Sequence, residues 1–240
     1  LDGTSDIKIK DLIIEVAQKN AINIVDGENN LIENCVIRNV NQWGGRITGK
    51  NNIIKNCEIY NVGAGGVKLN EEINNWSIEF NNNSVEHCTI HHFAWDQKSQ
   101  VPGVALAGIG NRAIGNEIYH APHFAIKFRM SKKCVAENNN IHDLPYYHHF
   151  DGGAVYLGLG NNLQNRENKV INNTISNVPT NGIYLDNYTH GNFVEGNVLY
   201  NVGNSVEDVN YAALYNHGGG QNLYENNVAI DCKIGSKTGS

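Results

Sequence analysis

The sequence is poor in the features that mark most other classes of protein. It has 4 Pro and 1 Met in 240 residues. It has no run of about 18 apolar residues, so nothing in it reads as a membrane-spanning helix. Neither a CxxC pair nor an HExxH motif appears, which removes the usual spacings of zinc and redox sites. Positive charge does not dominate either. With 18 Lys and Arg against 24 Asp and Glu, the formal net charge is −6, and nucleic acid is a poor partner because that binding depends on clustered Lys and Arg. The five cysteines, Cys35, Cys57, Cys88, Cys134 and Cys232, are odd in number and are expected to be buried free thiols. The chain starts at Leu1 without an initiator Met or a signal segment, so it is expected to be a piece of a longer protein.

What the sequence has instead is asparagine, at roughly one residue in six, where Leu, Ala and Gly ordinarily lead. The asparagines belong to a repeat. It reads NNLIENCVIRNV at 29–40, NNIIKNCEIYNV at 51–62 and NNSVEHCTIHHF at 82–93. Further copies are GNRAIGNEIYHA at 110–121, ENKVINNTISNV at 167–178 and GNFVEGNVLYNV at 191–202, with weaker ones at 6–16, 133–144 and 221–232. Taking the central apolar residue as register gives Ile14, Ile37, Ile59, Ile90, Ile118, Ile141, Ile175, Leu199 and Ala229, in steps of 22–34 residues. A floor near 22 with irregular lengthening fits a coil of three short strands. The expected fold is therefore all-β: a right-handed parallel β-helix of about eight coils forming one domain over 1–240.

Two columns flank the register. One holds Cys35, Cys57, Cys88, Asn116, Asn139, Asn173, Asn197 and Asn227; the other holds Asn39, Asn61, His92, His120, Asp143, Asn177, Asn201 and Asp231. In a parallel stack these become ladders with rungs about 4.8 Å apart. Asn suits a ladder because its amide both donates and accepts. The three cysteines then read as packing residues in one inward stack.

A second strand follows in each coil: AINIV, GRITG, GGVKL, GVALA, FAIKF, GAVYL, GIYLD and ALYNH. Its inward register is read as Ile22, Ile47, Val67, Val104, Ile126, Val155, Ile183 and Leu214. The connection before it is long in coils four, six and eight (FAWDQKSQVPG, DLPYYHHFDGG, VGNSVEDVNYA), which piles loops along one edge and suggests a cleft. Trp43, Trp95, Tyr146, Tyr147 and Tyr211 lie at that corner, where aromatic rings suit stacking on sugars.

Alternation gives two outward rows on this strand. They are Asn23, Thr48, Lys68, Ala105, Lys127, Tyr156, Tyr184, Tyr215 and Val25, Lys50, Asn70, Ala107, Arg129, Gly158, Asp186, His217. From coil five the rows concentrate Lys, Arg, Tyr, Asp and His on a face expected to be exposed. Most of the ten histidines fall in coils four to six, among them His91, His92, His120, His123, His142, His148 and His149. A His/Asp cluster of this kind could bind a divalent metal, but no spacing such as HExxH supports zinc. No cofactor is expected, although oxygen ligands could hold a structural calcium.

The stretches GNRAIGNEIYHAPHFAIKF (110–128), IHDLPYYHHFDGGAVYLG (141–158), GIYLDNYTHGNFVEGNVLYNVG (182–203) and NHGGGQNLYENNVAIDC (216–232) resemble the secreted bacterial β-helix glycoside hydrolases of families 141 and 120. The resemblance spans about residues 29–232. It implies an extracellular or periplasmic enzyme acting on plant or algal polysaccharide through two acidic residues. The matching positions are Asp151 and Asp186, with His123, Lys127, Arg129, His149, Tyr156, Tyr184, His217 and Trp95 as substrate-binding candidates. The sequence departs from the family form at Asn187, where LDD is usual, and in the basic AIKFR stretch.

Glycoside hydrolysis needs one carboxyl group to protonate the leaving oxygen and a second to attack or activate water, about 5–9.5 Å apart. In register Asp186 aligns with Gly158, and Asp151 lies more than about 20 Å back along the strand unless its loop folds over the face. Asp143, Asp208 and Glu207 are alternative second carboxylates. Two other readings remain open. One is a polysaccharide lyase or uronate epimerase using Lys127, Arg129, Tyr156 and Tyr184 as base, neutralising cation and acid. The other is a non-catalytic carbohydrate-binding or adhesin module. In every reading the partner is a poly- or oligosaccharide, with a capping domain or partner chain expected at the open helix ends.

Overall fold

The computed structural model describes residues 1–70, 78–144, 152–158, 165–204 and 210–239. The chain is a right-handed parallel β-helix. Its short strands stack into three sheets of nine, nine and eleven strands among the described residues. The first sheet runs from Lys8–Lys10 to Leu223–Glu225, the second from Ile13–Glu15 to Val228–Ile230. The third runs from Ile22–Glu28 to Ser236–Thr238, which adds a strand beyond the eight second strands read from the sequence.

Corners explain the asparagines. Asn29, Asn34 and Asn39, five residues apart, all have left-handed backbone, with φ of 56°, 53° and 54°. The middle corner recurs as Asn56, His87, Gly115, Asn138, Asn172, Gly196 and Asn226, all at positive φ. Asn and Gly tolerate this conformation best, so they mark the places where the chain turns from one sheet to the next.

The residue after each corner points inward, and there the ladders form. Asn116, Asn139, Asn173, Asn197 and Asn227 pass hydrogen bonds from rung to rung, and from Asn139 onward each side-chain oxygen accepts both the backbone and side-chain N–H of the Asn before it. Cys35, Cys57 and Cys88 continue the column, with Cys88 N–H donating to Asn116 Oδ1 at 2.9 Å. A second inward ladder escaped the sequence reading: Asn30, Asn52, Asn83 and Asn111, then Cys134, Asn168, Asn192 and Asn222. Its signal was the doublet opening each repeat, NN at 29, 51 and 82 and GN, EN or QN at 110, 167, 191 and 221, whose first member turns the chain and whose second bonds inside. Between the ladders Ile32, Ile37, Ile54, Ile59 and Ile90 fill a fully buried core.

The outward column Asn39, Asn61, His92, His120, Asp143, Asn177 and Asn201 sits at corners with positive φ, and its side chains bond along the surface from Asn61 to Asn39, between His92 and His120, and from Asn201 through Asn177 to Asp143.

One register expectation is corrected. Ile22 pairs with Gly45, and Gly45 with Val67, whereas Ile47 pairs with Ile24 and Leu69. Arg46, not Thr48, therefore shares the row of Lys68, and Thr48 rather than Lys50 stands beside Asn70. A slip by two residues leaves every side chain facing the same way, so alternation alone cannot detect it.

Candidate active site on the third sheet

The third sheet pairs Lys127 with Tyr156, Tyr156 with Tyr184 and Tyr184 with Tyr215. Two residues on, the next outward row carries Arg129, Gly158, Asp186 and His217. Asp186 follows the strand Asn181–Leu185, and its backbone is pinned on both sides: its N–H donates to Leu157 O at 2.8 Å, and Thr189 Oγ1 donates to its carbonyl at 2.8 Å.

The Asp186 carboxylate gathers the functional groups. Tyr156 donates its hydroxyl to Oδ2 at 2.6 Å, Tyr184 donates to Oδ1 at 3.3 Å, and His217 Nδ1 lies 2.7 Å from Oδ1. An ionised carboxylate only accepts, so the contact places the imidazole proton on Nδ1 and leaves Nε2 to act elsewhere. Three donors on a carboxylate with about four acceptor positions fix its orientation while keeping one lone pair for chemistry.

This face is not exposed as expected. Tyr156, Tyr184 and Lys127 are 2%, 4% and 5% exposed. Phe124, Tyr156, Tyr184 and Tyr215 form a small apolar cluster of their own outside the helix core, with ring centroids 4.7–5.3 Å apart. Rungs spaced near 4.8 Å place successive rings at contact distance, so the aromatic row buries itself. The segment before Pro102–Ile109 also folds over it. Lys127 Nζ donates to the backbone oxygen and Oε1 of Gln100 at 3.3 and 2.7 Å, and Gln100 N–H donates to His123 Nδ1 at 2.9 Å. Burial, then the neighbouring Arg129, lowers the Lys127 ammonium from 10.5 to about 8.

Of the residues singled out in the sequence, the structure joins Tyr156, Tyr184, Asp186 and His217 directly, and links Lys127 to His123 through Gln100. Arg129 stands two rungs from Asp186. Trp95, half exposed, lies at the corner over Gly63, three rungs away. Asp151 and His149, with His148, Tyr146, Tyr147, Glu207 and Asp208, lie outside the described residues. Asp143 is excluded as a partner for Asp186. It belongs to the second-sheet corner, where His142 and Asn177 bind it at 2.9 and 2.7 Å and hold its carboxyl below the usual range.

The histidines divide between faces. His91, Tyr119 and His142 stack with Tyr60 on the second sheet at centroid spacings of 4.8–5.1 Å. Their positions within the repeat phrase assign them to that sheet, while His123 and His217 follow the third. Among the described residues, no group of three or more His, Cys, Asp and Glu could hold a metal ion. Sequence reasoning missed Gln100 and Phe124, because neither stands in an outward row. It also missed the use of Gly158: a Cβ there would stand 2.5 Å from the Tyr156 hydroxyl oxygen, so the absent side chain lets the phenol cross to the next rung.

Comparison with known proteins agrees on architecture. A family described as a right handed beta helix region matches residues 1–101. Similar solved structures include a GH87 alpha-1,3-glucanase catalytic domain in complex with tetrasaccharides (13% identity, TM-score 0.75, covering 99% of this chain and 47% of that one). Others are an alginate lyase from Paenibacillus sp. str. FPU-7 (11%, 0.64, 91% and 78%) and a mannuronic acid specific polysaccharide family 6 lyase from human gut microbiota (15%, 0.67, 96% and 54%). The chain thus spans about half the length of the glucanase domain. At these identities the likeness is one of fold. No curated protein matches the sequence.

Proposed function

We propose that this chain degrades a polysaccharide by hydrolysing a glycosidic bond at the Asp186 cluster, outside the cytoplasm. The observation that carries the reading is the carboxylate of Asp186, fixed in an outward row by Tyr156, Tyr184 and His217. Glycoside cleavage develops positive charge at the anomeric carbon, and an oriented carboxylate can attack that carbon or draw a proton from water. The same step passes a proton to the leaving oxygen. Asp151, the other carboxylate that the resemblance to families 141 and 120 nominates, is our candidate for that acid. The likeness to carbohydrate-active β-helix enzymes of both hydrolase and lyase kinds supports action on polysaccharide.

A second reading, elimination from a uronate polymer, is favoured by two observations. Gly152, the residue after Asp151, packs against Thr180 and accepts from Asn181 Nδ2 at 3.0 Å. With Gly153 paired to Asn181, that position is six strand residues before Asp186, about 20 Å away. Lys127, lowered to about 8, meanwhile has the acidity of a general base working near neutral pH.

A panel of neutral and acidic polysaccharides, read for reducing ends and for ultraviolet absorbance of unsaturated products, tests both. Hydrolysis gives reducing ends without absorbance and is abolished by Asp186→Asn but only weakened by Lys127→Ala. Elimination gives absorbance and the reverse order of variants. Product on no polymer from a folded chain removes both.

A further inference from the structure

The outward rows of the third sheet change abruptly at one rung. Lys68 and Asn70 fill the two outward positions of one rung, and Lys127 and Arg129 those of the rung two further on. Between them stand Ala105 and Ala107, paired through Lys68↔Ala105↔Lys127. Two methyl groups between long side chains leave a notch whose walls are two rungs apart, about 9.6 Å. It opens as a cavity of about 100 Å³, bordered by Trp43, Lys68, Asn70, Gln100, Lys127 and Arg129. The width and depth suit one sugar ring entering edge-on.

Its chemistry is unlike that of the rest of the chain. The protein carries a formal net charge of −6, yet three of the lining side chains are cationic and no acidic side chain among the described residues lines the cavity. One wall is apolar and aromatic. Trp43 lies over Gly65, where any Cβ would collide with the indole, and Lys68 Nζ sits 6.0 Å from its ring centroid. An indole face beside ammonium and guanidinium groups matches a ligand with an apolar C–H face and an anionic substituent. Arg129 is exposed at this cavity, and a guanidinium is the side chain whose geometry matches a carboxylate or sulfate.

We propose that the Ala105–Ala107 notch is a binding subsite for an acidic sugar residue, one bearing a carboxylate or a sulfate. The inference rests on the polysaccharide reading of the Asp186 face and adds a substrate class to it. The notch lies three rungs from Asp186, about 14 Å, so the acidic residue it holds is not the one whose bond is cleaved. Its role is selection and alignment: it fixes the strand's position so that a distant bond meets Asp186. Chains too short to reach from the notch to Asp186 would lose this help. Lys127 takes part in both regions, because it lines the notch and pairs with Tyr156 on the adjoining rung.

The test measures binding without turnover, by calorimetry on the Asp186→Asn chain, with thermal unfolding to check that each variant folds. The probes are a uronic acid oligomer, its carboxyl-reduced neutral form, and a neutral oligomer carrying sulfate. The acidic oligomer is expected to bind about tenfold more tightly than its reduced form, the worth of one charge-assisted hydrogen bond. That preference should shrink at higher salt. It should also disappear in Lys68→Met, which removes a cation, and separately in Ala105→Leu, which fills the notch and leaves every charge in place. Preference for the sulfated oligomer alone would assign sulfate as the anion. Equal binding of acidic and reduced oligomers, or a preference untouched by both variants, overturns the subsite. Acidic binding at the notch without cleavage of any polymer would instead retire the hydrolysis reading and leave the subsite standing.

Discussion

The Tyr156 hydroxyl reaches Asp186 Oδ2 at 2.6 Å by crossing the rung position of Gly158. A phenol from one coil thereby sets the orientation of a carboxylate on the next. The contact exists because strand pairing puts Leu157 beside Leu185 and because position 158 has no side chain. His217, from the following coil, closes on the other oxygen.

Gly158→Ala tests that relationship with the smallest available change. The added methyl displaces the phenol, and a misplaced catalytic group can lower turnover about 100-fold. Strand geometry at this position remains ordinary, so the midpoint of thermal unfolding should move little. Steady-state kinetics beside a melting curve will show whether activity falls alone.

Removing the donors should act in a graded way. Asp186→Asn is expected to abolish cleavage. Tyr156→Phe and His217→Ala each leave the carboxylate present but less well held, with losses of about 100-fold or more in kcat. A His217→Ala chain as active as the parent would deny the imidazole any part in the site.

The inward ladders predict an unusual tolerance. Asn139 accepts from Asn116 and donates to Ala113 O and Asn173 Oδ1. Asn139→Ala strands these buried groups and should cost about 3 kcal/mol. Asn139→Cys should cost distinctly less, because thiols already serve the same column at Cys35, Cys57 and Cys88. Urea denaturation of the two variants side by side makes the comparison.

Much of this was legible in the sequence, for identifiable reasons. Corners need left-handed backbone, so Asn34, Asn56 and Asn138 announce the turns at five-residue spacing from their neighbours. Strand alternation likewise placed Asp186 beside Gly158 and Tyr184 beside Tyr156. The burial of Lys127 was not legible, because it involves Gln100, remote in sequence, reaching Lys127 and His123. The second coil's register was hidden by a slip that preserves inward and outward facing.

The pH dependence of stability carries a sign that isolates Lys127. Its ammonium is lowered from 10.5 to about 8 in the folded chain, by burial first and Arg129 second. Between those values the unfolded chain binds more protons, so folded stability rises with pH across that window. Cys134, raised by burial to about 12, works against this above pH 9. The difference between the parent and Lys127→Met therefore isolates the lysine, and should widen in the parent's favour from pH 8 to pH 10. A constant difference in unfolding free energy would contradict the assignment.

The rows of the third sheet amount to a grid. Each coil contributes two cells at fixed pitch, and the interior that supports a cell is built from Ile, Val and ladder Asn whatever the cell contains. Alanine, lysine, tyrosine and aspartate occupy neighbouring cells on one continuous scaffold. Chemistry on this face can therefore be rewritten cell by cell, or moved by a whole coil, without renegotiating the fold beneath it. The spacing between what is recognised and what is cut is counted in coils.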